Sequence, residues 1–112
     1  ALRVPLPPAH AGHAFYKFYA FVRPAELAAG WSRDRIMAEL NERGVPCTVG
    51  SCSEIYLEKA FTDRGWGPAA RLPVARELGD TSLMFMVHPT LPREALEATV
   101  AAMRQVMASA SR

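Results

Sequence analysis

A short stretch of this chain crowds polar side chains where a loop meets a helix start. Gly44 to Phe61 reads GVPCTVGSCSEIYLEKAF, and Ser51, Cys52, Ser53, Glu54 and Tyr56 fall within six positions. Loops held by a rigid scaffold are where binding groups gather. Hydroxyls in such a turn serve either as caps and turn-formers or as hydrogen-bond partners for a ligand. Ser53 is expected to cap the helix that follows, and Glu54 suits the positive end of its dipole. Tyr56 either packs with its hydroxyl wet or points from the helix start into a cleft.

Two more residues carry possible chemistry. Lys17 interrupts an otherwise aromatic strand pattern, so its ammonium either rides out to water on an apolar stem or meets an anionic group. A lysine that reacts as an amine needs desolvation or a neighbouring cation, and neither Lys17 nor Lys59 has a context that supplies one. His88 stands before Pro89, just past an apolar run. No GxGxxG, GxxxxGK[ST] or HExxH pattern occurs, and no nucleophile–base pair or paired-carboxylate motif stands out. Cys47 and Cys52 lack Cys or His partners at metal-ligand spacing, and they read as cytosolic thiols rather than a disulfide framework.

At 112 residues the chain is long enough for one domain with one core. Half of it is apolar and 21% is charged, as in ordinary globular proteins. Thirteen basic residues interleave with eleven acidic ones, for a net charge of +2. No basic stripe points to nucleic acid. The longest apolar run, Leu83–Val87, is too short to span a bilayer, and no secretory signal opens the chain. The expectation is a cytoplasmic protein that binds neither nucleic acid nor membrane.

The elements that must position these groups follow from periodicity and punctuation. Residues 1–12, ALRVPLPPAHAG, hold three prolines and read as an extended linker arm, with a domain over 13–112. Such an arm suggests that another domain precedes it. His13–Arg23 is the best strand, with Tyr16, Phe18, Ala20 and Val22 on one face and Phe15, Lys17, Tyr19 and Phe21 on the other. Ser32–Arg43 is a helix capped by Ser32, with Ile36, Met37 and Leu40 as its apolar stripe, Trp31 stapling onto Ile36 and Gly44 closing it. Val45–Val49 reads as a short strand, and a helix starts at Ser53 and runs to about Phe61. Residues 62–71 read as loop. Pro73 opens another short helix, which Gly79 is expected to end. Leu83–Val87 is a buried strand. The last helix begins near Thr90–Pro92 with Leu96, Val100, Met103 and Met107 as its inward stripe. The core is expected from Phe18, Val22, Leu83, Phe85, Leu96, Val100 and Met103. The architecture is an α/β (α+β) two-layer sandwich: a small, mainly antiparallel three-stranded sheet with helices on one face.

The order of three segments carries a family resemblance. HAFYKFYAFVR is followed by ERGVPCTVGSCSEIYLEKAF and then by RLPVARELGDTSLMFMVHPTLPREALEATVAAMRQVM. Together they resemble the C-terminal small domain of the DegT/DnrJ/StrS family, from about His13 to Val106. These are fold-type I enzymes that use pyridoxal phosphate (PLP) to aminate nucleotide-linked keto sugars. Typical members carry V-H-Y-x-P-L-H after the helix–Gly turn. Here Val49 matches the valine, Gly50 and Ser51 replace the His-Tyr pair, and Tyr56 falls near the second histidine. The chain departs from the common pattern where the family faces its sugar.

The resemblance implies that the lysine holding PLP, its aspartate partner and the phosphate cradle all belong to a large N-terminal domain. It assigns Ser51, Ser53 and Tyr56 to sugar or diphosphate oxygens, with Lys17 and His88 as further substrate-binding candidates. It implies a cytoplasmic full-length homodimer that takes an amino group, glutamate's by expectation, to a nucleotide sugar for cell-surface polysaccharide or deoxysugar synthesis. Within this chain alone, no PLP binding and no turnover are expected. A PLP-dependent deoxysugar dehydratase of the same fold, or a stand-alone α/β binding module, are the alternatives.

Overall fold

Lys17–Val22 (β2) lies at the centre of the molecule, in a computed structural model that describes all 112 residues. Its alternating aromatic, Ala and Val residues suit a pleat covered on both faces. The expected strand over 13–23 is shorter at its start. His13 Nδ1 accepts the Phe15 N–H at 2.8 Å, and Phe15 takes a φ of +46°. That local turn breaks the extended backbone, so regular pairing begins at Lys17.

Four strands, not three, form the sheet. Leu2–Arg3 (β1) in the Pro-rich arm pairs antiparallel with β2, placing Leu2 opposite Val22. Arg3 stacks its guanidinium over the Phe21 ring at 4.5 Å. Leu2 and Arg3 precede the first proline, keep their backbone donors and occupy the open edge of β2. Ser82–Met86 (β4) pairs antiparallel on the other side of β2, with Lys17 opposite Met86, Tyr19 opposite Met84 and Ala20 opposite Leu83. Cys47–Thr48 (β3) pairs antiparallel with β4 and completes the order β1-β2-β4-β3. The chain thus crosses from β2 to β3 through Arg33–Glu42 (α1) and leaves a slot that β4 fills.

Ser32 caps α1 as its type predicts, accepting the Arg35 N–H at 3.1 Å. Gly44 follows the helix at φ +74°. Helix α1 and Arg93–Ala110 (α4) cover one sheet face. Ile36, Leu40, Val45, Cys47, Val22, Leu83, Ala102, Val106 and Ala110 form the core between them, and Trp31 packs against it. Val22 and Leu83 are buried as expected, and Phe18 and Phe85 are half-buried with ring centres 6.5 Å apart.

The inward stripe of α4 is rotated from the expected one. Leu96 and Val100 are 52% and 49% exposed, while Ala102, Val106 and Ala110 are buried and Met103 and Met107 flank them. The close neighbour of α4 is α1, and the small side chains of Ala102 and Ala110 lie on the buried side of α4. The largest apolar side chains are therefore not the ones that define the contact.

The segment after β3 also differs. Instead of one helix from Ser53 it forms a 3-10 turn at Ile55–Leu57 and a single helical turn at Lys59–Thr62 (α2). Glu54, not Ser53, sits at the cap position of the first turn, and no side chain caps it. Pro73–Thr81 (α3) starts at the proline as expected but runs through Gly79 and passes directly into β4. Gly79 serves packing: a Cβ there would collide with Ser53 Oγ. No helix is long and apolar enough to cross a membrane.

Candidate substrate-facing loop

Register decides what stands on the sheet face opposite the core. Lys17 and Tyr19 are two apart on β2, so both project to that face, as do Met84 and Met86 opposite them. The loop leaving β3 folds back over this face. Gly50 makes the turn at φ +84° and lies so near Tyr19 that a Cβ would overlap the ring. Glycine is required there both by backbone sign and by space.

This approach brings three polar groups together. Lys17 Nζ donates to Ser51 Oγ at 3.1 Å, and Tyr19 OH donates to the same oxygen at 3.2 Å. The Ser51 N–H donates to the Tyr19 phenol oxygen at 2.9 Å. Burial pushes the Tyr19 phenol up, but its bonds to Ser51 and the Lys17 charge outweigh that and hold it below its ordinary value. Ser82 Oγ donates to the Val49 carbonyl at 2.7 Å, which ties the loop's root to β4.

Farther along the loop stands a second cluster. The Glu54 carboxylate takes the guanidinium of Arg71 on both oxygens, with Nε at 2.9 Å from Oε1 and Nη2 on Oε2. Tyr56 OH donates to Glu54 Oε1 at 2.6 Å and accepts the Leu72 N–H at 2.9 Å. Arg71 and Tyr56 together hold the Glu54 carboxyl down at about 2. Burial and the neighbouring carboxylate push the Tyr56 phenol up. Glu54 therefore answers to a side chain seventeen residues away rather than to a helix dipole.

Of the sequence candidates, Lys17 and Ser51 meet directly. Ser53 is half-buried beside Gly79, and the Tyr56 hydroxyl is engaged within the loop. His88 pairs with Thr90 Oγ1 at 2.8 Å beyond the end of β4 and does not join the Lys17 cluster. Tyr19 and Arg71 were not singled out by their residue types. Tyr19 had a signal in its alternation with Lys17, whereas nothing local marked Arg71 in its Gly- and Pro-rich loop. Cys47 is a buried core thiol pushed up to about 11 by desolvation, and Cys52 is exposed with Sγ 3.5 Å from Glu58 Oε1.

The scaffold is a small antiparallel α+β sandwich that presents one polar loop over a sheet face. The chain belongs to the DegT/DnrJ/EryC1/StrS aminotransferase family, whose model matches residues 1–104. An aminotransferase from Psychrobacter cryohalolentis is similar at 55% identity and a TM-score of 0.83, over 87% of this chain and 25% of that one. The aminotransferase TlmJ from Streptoalloteichus hindustanus shares the fold at 23% identity and a TM-score of 0.75, over 96% of this chain and 26% of its own. A DegT DnrJ EryC1 StrS aminotransferase from Brucella abortus does so at 21% identity and a TM-score of 0.74, over 93% and 26%. This chain thus spans about a quarter of the length of these solved relatives. Comparison with curated proteins gives no match.

Proposed function

We propose that this chain is the C-terminal small domain of a PLP-dependent aminotransferase that delivers an amino group, glutamate's by expectation, to a nucleotide-linked keto sugar. The observation that carries the reading is the Lys17–Tyr19–Ser51 cluster beneath a Gly-turned loop. An ammonium beside two hydroxyls suits the phosphate or sugar oxygens of a nucleotide sugar. Residues 13–112 would form the body of this domain, and 1–12 the arm that joins it to the large domain and lays β1 along the edge of its sheet. The full-length enzyme would be a cytoplasmic homodimer serving polysaccharide or deoxysugar synthesis.

On this reading neither lysine of this chain holds the cofactor. Lys17 is committed to Ser51, and Lys59 is exposed on the one-turn helix α2. On this reading PLP sits on the large domain and, when bound, supplies the electron sink for amino transfer. The residues of this chain bind and orient the sugar nucleotide: Lys17 meets an anionic group, and Ser51 presents its hydroxyl. Ser53, Tyr56 and His88 act around them through loop shape and further contacts.

Kinetics of the full-length enzyme test this. Lys17→Met should raise KM for the nucleotide sugar much more than it slows the glutamate half-reaction. Equal damage to both halves, or none to either, would remove the loop from sugar recognition.

A further inference from the structure

We propose that Glu54, Arg71 and Tyr56 form a latch that positions the Gly50–Tyr56 loop, making Arg71 a positioning residue for substrate recognition. The inference rests on the reading of that loop as the sugar-facing element.

Three observations join here. First, the loop has little regular structure of its own. Between Thr48 and Ile55 it is held by Gly50 packing, by the bonds of Ser51 and Val49 at one end, and by Glu54 and Tyr56 at the other. Second, the far anchor reaches across sequence: Arg71 grips both oxygens of Glu54, and the backbone N–H of Leu72 donates to Tyr56 OH. A bidentate guanidinium–carboxylate pair fixes orientation as well as distance, which one ammonium could not do. Third, the Glu54 side chain is only 11% exposed, although it stands on a surface loop. A carboxylate so enclosed keeps its charge because Arg71 and Tyr56 satisfy it.

The latch closes onto a firm base. Leu72 is the cap residue of α3, so Arg71 and Leu72 tie the loop to the helix that runs straight into β4. Gly79 of the same helix receives Ser53. The position of Ser51 over Lys17 is thereby set from both ends of the loop, by β2 through Tyr19 and by α3 through Glu54. Tyr56 then contributes by holding the loop, and its hydroxyl is already spoken for.

The test uses the full-length, PLP-loaded enzyme and four variants: Arg71→Met, Arg71→Lys, the swap Glu54→Arg with Arg71→Glu, and Lys17→Met. Hydrogen exchange of the ligand-free enzyme comes first. Arg71→Met should speed exchange of residues 49–58 and of the Leu72 amide by about tenfold or more, while exchange of β4 stays unchanged. Binding of UDP and dTDP, as nucleoside diphosphate probes, should weaken by about tenfold in the same variant, because a displaced group loses much of its effect. The half-reaction with L-glutamate should keep its rate in Arg71→Met. Arg71→Lys should fall between, and the charge swap should recover part of both losses. Unchanged exchange in the loop, or loosening with no recovery in the swap, overturns the latch. Loosening together with an equal loss in the glutamate half-reaction also overturns it, since that is the mark of a general folding role. The Lys17→Met variant separates the two proposals: if it leaves diphosphate binding intact while Arg71→Met loosens the loop, the latch stands as a loop-ordering device and the recognition reading fails.

Discussion

Tyr19 and Ser51, 32 residues apart, exchange two hydrogen bonds: the Ser51 N–H donates to the phenol oxygen and the phenol donates to Ser51 Oγ. A strand residue and a loop residue thereby act as one unit. Tyr19→Phe keeps the ring against Gly50 and removes both bonds. It should cost about 1 kcal/mol of stability, the net worth of a typical hydrogen bond, with the Ser51 amide left to find water. Denaturant unfolding of the variant against wild type measures this, and a change near zero would mean that the loop is held elsewhere.

Gly50→Ala should be the harsher change. It places a Cβ into the Tyr19 ring and forces a left-handed φ on a residue that resists it. Backbone strain of this kind costs on the order of 1–3 kcal/mol before any clash is counted. Gly44→Ala shares the positive φ but meets nothing within 4 Å, so it should destabilise less. Thermal melts of the two variants compare them directly, and equal shifts would show that the ring contact does not matter.

The rotated face of α4 makes a contrast between two leucines. Leu83 is fully buried and Leu96 is half-exposed. Leu83→Ala should cost about 2–5 kcal/mol, because it leaves a cavity in the core. Leu96→Ala should cost below about 1 kcal/mol, like other surface changes. Chemical denaturation of both variants decides it, and a large loss at Leu96 would place that side chain in a covered interface.

The two thiols should react differently. At pH 8 a thiol reagent followed by peptide mapping should label exposed Cys52 well before buried Cys47. The Cys47 thiol has its ordinary value of 9.0 raised to about 11 by desolvation. A raised value favours the native protonated form, so its contribution to stability is complete below about pH 9 and is lost as pH rises through about 11. Cys47→Ala should flatten stability over that alkaline range.

Glu54 should show the opposite dependence. Its ordinary value of 4.5 is lowered to about 2, chiefly by the Arg71 hydrogen bonds and then by Tyr56. A lowered carboxylate stabilises the native state fully above the ordinary value and loses that contribution as pH falls toward 2. The difference in melting temperature between wild type and Glu54→Gln should therefore be constant above about pH 5 and shrink below it. A difference that stays constant down to pH 2.5 would mean that the ion pair does not hold the carboxylate charged in the native state.

Periodicity and punctuation made much of this protein legible in one dimension. The Ser32 cap with Ile36 and Leu40 inward, the turn at Gly44, the proline that opens α3 and the apolar run of β4 are local features, and each appears where its residues require. The face shared by Lys17 and Tyr19 follows from strand alternation alone. What needed the tertiary structure involves distant partners. The pairing of β1 depends on an open edge of β2, and the buried side of α4 depends on how the helix docks on α1 and the core. Gly79 lies inside α3, and Ser53 occupies the space where a Cβ would be. Ser51 meets Lys17 across 34 residues and Glu54 meets Arg71 across seventeen. Such contacts are set by how the chain folds back on itself, and no local pattern encodes them.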